Sequence, residues 1–283
     1  MSALAELFPD ADFRHHLTLR RAVAGEFFAP SSANDEVLRE RRQWIASAPH
    51  RYANLTDEGG PLVAEFLDLC TTWKFLPIRL HATRGSGHEP SDRATKLVEE
   101  LGGELEPDFL LLSPDQNGGF RLHAGALCFP TGWALEEKLG HTLEFIHGVV
   151  PGLNSALGSP INQFLSKLKP GVAFERDNWG LSASAELNQH PVRALPAPAT
   201  PVTLDRIWLR VEHQIVVALP ETRGVVFGIR IANHRLDQMG GEGAAIRGLI
   251  RALRTMPDSM AKYKRFASIR AELIEQLRAA YVV

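Results

Sequence analysis

Two long runs of alternating residues, Arg206–Leu219 and Gly224–Ile231, face each other across Pro220-Glu221-Thr222-Arg223. A period of two marks strands buried on one side, and a short turn between two such runs marks a hairpin. In the first run Ile207, Leu209, Val211, Ile215, Val217 and Leu219 are apolar, with His213 among them, while the even positions begin Trp208, Arg210, Glu212 and Gln214. On the return Val225, Phe227, Ile229 and Ile231 are apolar, and Arg230 has the other parity. A hairpin symmetric about Thr222 sets Arg230 opposite Gln214 and near Glu212, so that Arg210, Glu212, Gln214 and Arg230 share one face. That face is either a solvated surface with cross-strand ion pairs or a polar pocket wall, with Gly228 and Ala232 leaving room beside Arg230.

The rest of the chain supplies three more strand patterns, Asp108–Ser113, Phe120–Phe129 after the turn Gln116-Asn117-Gly118-Gly119, and a strand within Val172–Glu186. Helices are expected from Asp35 to Ala48, over Pro61–Phe75, Ser91–Leu101, Ala134–His147 and Pro160–Leu168, and from Gly243 onward with a break near Pro257. Thr83–Pro90 reads as a Gly-rich polar loop, without the third glycine or the preceding strand of a nucleotide-binding loop. Gln189–Thr203 is a proline-rich surface connection. This order predicts an α+β fold, with a mostly antiparallel sheet of about five strands and inserted helices over 108–236. Helical extensions, 1–107 and 237–283, pack on it as one unit.

His147 is the second constraint. At about 100° per residue it falls on the stripe of Leu135, Leu139 and Leu143, and Gly148 and Pro151 follow it. An imidazole on an apolar stripe is either a hydrogen-bonded core residue or a ligand for something bound inside. Phe174-Glu175-Arg176-Asp177-Asn178-Trp179-Gly180 poses a similar choice. It is a turn with a tucked Trp179, or it supplies Arg176 for an anionic group and Asn178 for orientation.

Composition removes whole classes of function. A net charge of −2 gives no basic footprint for nucleic acid. Cys70 and Cys128 stand far apart in apolar runs, which argues against a disulfide scaffold or a cysteine-rich metal site. No apolar run approaches membrane-spanning length, and no N-terminal segment has the form of a secretory leader, so a reducing cytoplasm is expected. Metalloprotease, nucleophile-elbow and Walker motifs are missing. The C-terminal basic residues, Arg247, Arg251, Arg254, Lys262, Lys264, Arg265 and Arg270, form a solvated face or a docking surface for an acidic protein.

Several short motifs occur in a telling order: Cys128-Phe129-Pro130-x-x-Trp133, Glu137-Lys138-Leu139-Gly140, Ile146-His147-x-x-Val150-Pro151, Arg176-x-Asn178-Trp179, Leu209-Arg210-Val211-Glu212-His213-Gln214 and Phe227-Gly228-Ile229-Arg230. From about Asp108 to Leu236 the chain resembles the haem-dependent oxidative N-demethylase family. The resemblance implies a PAS-like five-stranded core and b-type haem whose iron is held by His147. It also implies O2-dependent removal of an N-methyl group from a small secondary amine. Arg176, Asn178 and Trp179 would then contact the cofactor. Glu212 would serve as proton donor or amine anchor, with Arg210 or Arg230 at bound oxygen or a propionate. No flavin, nicotinamide or iron–sulfur signature is present, so electrons would come from a separate reductase. Two positions depart from the family pattern, His213 where an arginine is usual and Ile231-Ala232-Asn233-His234 where the family runs to Thr-Tyr. The alternative is a haem-binding PAS-type sensor or a degenerate family member.

Overall fold

The computed structural model describes residues 3–73 and 90–281. Its strands are β1 (Arg20–Ala22), β2 (Ala53–Leu55), β3 (Asp108–Pro114), β4 (Phe120–Ala126), β5 (Ala173–Ser182), β6 (Trp208–Ala218) and β7 (Val225–Arg235). They form one antiparallel sheet in the order β1-β5-β6-β7-β3-β4-β2. The helices are α1 (Ala3–Leu7), α2 (Ala24–Phe28), α3 (Asn34–Ser47), α4 (Pro49–Tyr52), α5 (Gly59–Thr72), α6 (Pro90–Glu104), α7 (Leu143–His147), α8 (Leu153–Ser166), α9 (Gly243–Thr255), α10 (Asp258–Tyr263) and α11 (Arg270–Tyr281). None of the described helices is long and apolar enough to cross a membrane.

The α+β class is as expected, but the sheet has seven strands instead of five. The five long ones lie within 108–235. The two short edge strands come from the N-terminal region expected to be a helical extension, where three residues are too few for an alternating pattern to register. The helix expected over Ala134–His147 is also shorter. Gly140 takes φ +78°, and Thr142 bridges to Arg121 and caps the helix that begins at Leu143. The chain from Ala134 to His141 therefore runs in turns. Most of the Gly-rich loop at 83–90 lies outside the described residues.

Packing uses both faces of the sheet. On one face Phe109, Leu111, Ile215 and Val217 bury against Phe28 of α2 and Phe66 of α5. Further along that face Trp179, Leu209 and Val211 bury against Phe8 and the residues of α9–α11, including Leu249 and Phe266. The other face carries Leu110, Leu112, Val216 and Ile229, which pack with Ile146 of α7 and with Ile161, Phe164 and Leu165 of α8. Both termini thus cover one face, while the inserted helices stand over the other.

Beneath the β3–β4 edge, Arg41 and Asp108 form a fully buried pair, with Nη1 2.5 Å from Oδ1. Asp108 also accepts from the backbone N–H groups of Cys128 at 2.6 Å and Phe129 at 3.0 Å. This fixes the chain where it leaves β4. The thiol of Cys128 is pushed up to about 12 by burial, so it is inert at neutral pH.

Candidate functional site

The β6–β7 register decides which side chains share a wall. His213 stands opposite Arg230 and Gln214 opposite Ile229, one residue off the expected pairing. The turn closes through Leu219 N–H to the Gly224 carbonyl with Arg223 at φ +57°, which centres the hairpin between Glu221 and Thr222. A shift of one residue exchanges faces, because side chains alternate. Arg230 therefore lies on the face away from Glu212. There its Nε donates to the Phe27 carbonyl at 2.7 Å, and its other nitrogens bond Glu106 and the Ala29 carbonyl.

The wall that does form is carried by β5 and β6. Asn178 pairs with Glu212, Arg176 with Gln214 and Gly180 with Arg210. Glu212 Oε2 accepts from Asn178 Nδ2 at 3.1 Å and Gln214 Nε2 at 2.7 Å. The Arg176 guanidinium makes no hydrogen bond or ion pair among the described residues. Burial lowers its affinity for the proton, against the pull of Glu212 and Asp177. Such a cation suits an anionic group brought in by a ligand.

Arg210 shares this face but is occupied. Its nitrogens donate to Thr131 Oγ1 at 2.9 Å and to the carbonyls of Phe129 at 2.9 Å, Leu187 at 2.7 Å, Glu186 at 3.2 Å and Pro130 at 3.4 Å. Burial brings it down to about 10, with Glu212 and Asp108 opposing. Trp179 has the opposite parity to Asn178. Its ring meets Phe8 edge-on at 5.1 Å and stacks on Phe266 at 6.3 Å, behind the wall.

His147 ends α7 on the side of the wall. Neither ring nitrogen has a hydrogen-bond partner among the described residues, and burial together with the Arg176 charge holds the ring below its ordinary pKa. The imidazole is thus neutral near pH 7, the form that ligates a metal. It lines a cleft of about 370 Å³ between α7 and α8, together with Leu143, Glu144, Ile161, Asn154 and Asn162. Among the described residues Asn154 Oδ1 and Asn162 Oδ1 are buried acceptors without a donor. The spacing Asn154, Gly158, Asn162 is the sequence signal for this stripe, at i, i+4 and i+8. Among the described residues no group of three or more metal-binding side chains occurs, so any ion here would be held by His147 and a ligand of its own.

His147 on its cleft and the β5–β6 wall of Arg176 and Glu212, whose arginine charge reaches the imidazole, form the candidate ligand site. The chain matches the family model described as haem-dependent oxidative N-demethylase, alpha subunit-like, over residues 34–274, and belongs to that family. Its residues fit such a cofactor. Among the described residues His147 offers an imidazole nitrogen without a partner for iron, Arg176 offers an unpaired cation for a propionate, and Leu143 and Ile161 offer apolar lining in the cleft.

Proposed function

We propose that this chain is a haem-dependent monooxygenase that removes an N-methyl group from a small secondary amine. His147 would hold the iron of a b-type haem on a PAS-like core spanning 108–236, against which 1–107 and 237–283 pack as one unit. The reaction consumes the amine, O2, two electrons and two protons, and yields the demethylated amine, formaldehyde and water. The electrons come from a separate reductase, and the setting is the cytoplasm. Bound haem would supply the binding and reductive activation of O2.

The chain's own residues supply the rest. Arg176 holds an anionic edge of the cofactor. Glu212, fixed by Asn178 and Gln214, holds the substrate ammonium or passes a proton at Oε1, which has no partner among the described residues. The donorless oxygens of Asn154 and Asn162 favour a ligand with N–H groups over an anion. Trp179 anchors β5 from behind, and Arg210 and Arg230 act as positioning residues.

The observation that carries this reading is His147, a neutral imidazole with unpaired nitrogens on a cleft in a chain of this family. The test is the absorption spectrum of the purified protein, followed by formaldehyde release from dimethylamine with O2 and a chemical reductant. A Soret band that disappears in His147→Ala, with formaldehyde formed, supports the reading. Full haem loading in His147→Ala overturns the ligand. Stable O2 or CO binding without formaldehyde overturns the demethylase and leaves a haem-binding protein.

A further inference from the structure

Lys264 follows α10, far in sequence from the wall, yet it reaches the edge of β5. Strand β1 pairs with β5 only over 173–175, so beyond that point the outer edge of β5 carries no strand among the described residues. Lys264 Nζ donates to the Trp179 carbonyl there and lies 5.1 Å from the centre of the Trp179 ring. The next residue, Arg265, is held at φ +61°, a left-handed conformation that side chains other than glycine rarely adopt. Such strain persists only where surrounding contacts enforce it. Here Arg265 N–H bonds the Lys262 carbonyl and Phe266 N–H bonds the Ala261 carbonyl, a reversal that ends α10 with Lys264 directed at β5 and Phe266 stacked on Trp179.

We propose that Lys264 is a positioning residue of the wall, holding β5 at Trp179 so that the adjacent Asn178 keeps its hydrogen bond to Glu212. This rests on the reading of Glu212 given above, but the contact chain from Lys264 to Glu212 exists without cofactor. A lone free edge carbonyl would be satisfied by water. Instead the chain buries an ammonium on it, which brings Lys264 down to about 8 through desolvation, with Glu212 raising it and Arg176 lowering it. Glu212 on β6, Arg176 on β5 and the neighbouring Tyr263, itself raised by burial and by Glu212, are the charged and titratable groups that act on or beside it.

The test uses the full haem-free chain, so its outcome is independent of whether the protein is a demethylase. Lys264→Met and Lys264→Arg are compared by amide hydrogen exchange and by the side-chain amide resonance of Asn178, assigned with Asn178→Ala. Lys264→Met is expected to speed exchange over the peptide that spans Arg176–Leu181 by roughly tenfold, the loss of one charged hydrogen bond, and to shift the Asn178 resonance. Lys264→Arg, which keeps a cation, restores both. In the parent chain the Asn178 resonance moves with an apparent midpoint near pH 8, and Lys264→Arg removes that step. If Lys264→Met does not fold, the parent titration and Lys264→Arg decide. An Asn178 resonance unchanged in folded Lys264→Met, or a step near pH 8 that survives in Lys264→Arg, overturns the proposal.

Discussion

His213 Nδ1 lies 2.6 Å from Asp177 Oδ1, on the face of the sheet that Glu212 does not occupy. The arginine-to-histidine departure from the family pattern therefore falls behind the wall. Arg20 Nη2 completes the group, 2.8 Å from the other Asp177 oxygen. His213→Ala is expected to leave the haem spectrum and turnover within about twofold of the parent and to cost about 1 kcal/mol of stability, since His213 is partly exposed. A chemical denaturation curve and the absorption spectrum check it.

The same group sets an acid response. Burial raises the Asp177 pKa, but the bonds from His213 and Arg20 outweigh it and hold the carboxyl below its ordinary value of 3.8. A depressed folded pKa means that this contribution is present above about pH 4 and is lost as pH falls through the folded value. Asp177→Asn is expected to be less stable at pH 7 and to lose part of the acid dependence below about pH 4. Equal acid slopes in the two proteins would show that Asp177 does not carry it.

Arg210 makes a different prediction. It tethers Phe129–Thr131 and Glu186–Leu187 to β6 through three of their carbonyls and the Thr131 hydroxyl. Arg210→Met should cost about 3–5 kcal/mol, the usual result of removing one member of a buried charged network. The expected signature is a lower Tm and less folded protein, with kcat per bound haem nearly unchanged. A stable Arg210→Met protein with kcat reduced a hundredfold would restore Arg210 to the chemistry.

The strands were legible because period two survives in β6 and β7, whereas the stripe that singled out His147 does not form, since only Leu143 of its leucines shares a helix with the imidazole. What was not legible follows from physics that acts at a distance. The face on which Arg230 falls depends on one residue of turn geometry, which Pro220–Arg223 does not encode by composition. The occupation of Arg210 depends on carbonyls some 80 residues earlier in the chain. Lys264 is one basic residue among several near the C-terminus, and only the reversal at Arg265 singles it out. Trp179 was named with Asn178 from a shared motif, although neighbours in a strand point to opposite faces.

The N-terminal segment belongs to the same structure although the family match begins at residue 34. Phe8 meets Trp179, and a Cβ at Gly248 would stand 2.0 Å from the Phe8 carbonyl oxygen. That contact is with backbone, so the segment must move to admit even a methyl group. Gly248→Ala is expected to expose residues 3–13 to limited proteolysis and to cost about 2–4 kcal/mol, more than the roughly 1 kcal/mol that alanine gains over glycine within a helix. Unchanged proteolysis with raised stability would show that Phe8 yields freely.

Glu212 is the residue on which the proposed chemistry turns, and the choice of substitution separates its roles. Glu212→Gln preserves shape and leaves one oxygen to accept from Asn178 or Gln214, but it removes the negative charge that offsets Arg176. Arg176 then loses its main opposing charge in the wall, so haem with its propionates is expected to bind at least as tightly. An ammonium substrate, by contrast, loses its counter-charge. A loss of about 1–3 kcal/mol of charge-assisted binding corresponds to a rise in KM of about five- to 150-fold. A fall in kcat with KM unchanged would instead assign Glu212 to proton transfer. Steady-state formaldehyde release at several amine concentrations, with haem content measured in the same samples, distinguishes the two. Unchanged kcat and KM would remove Glu212 from the site.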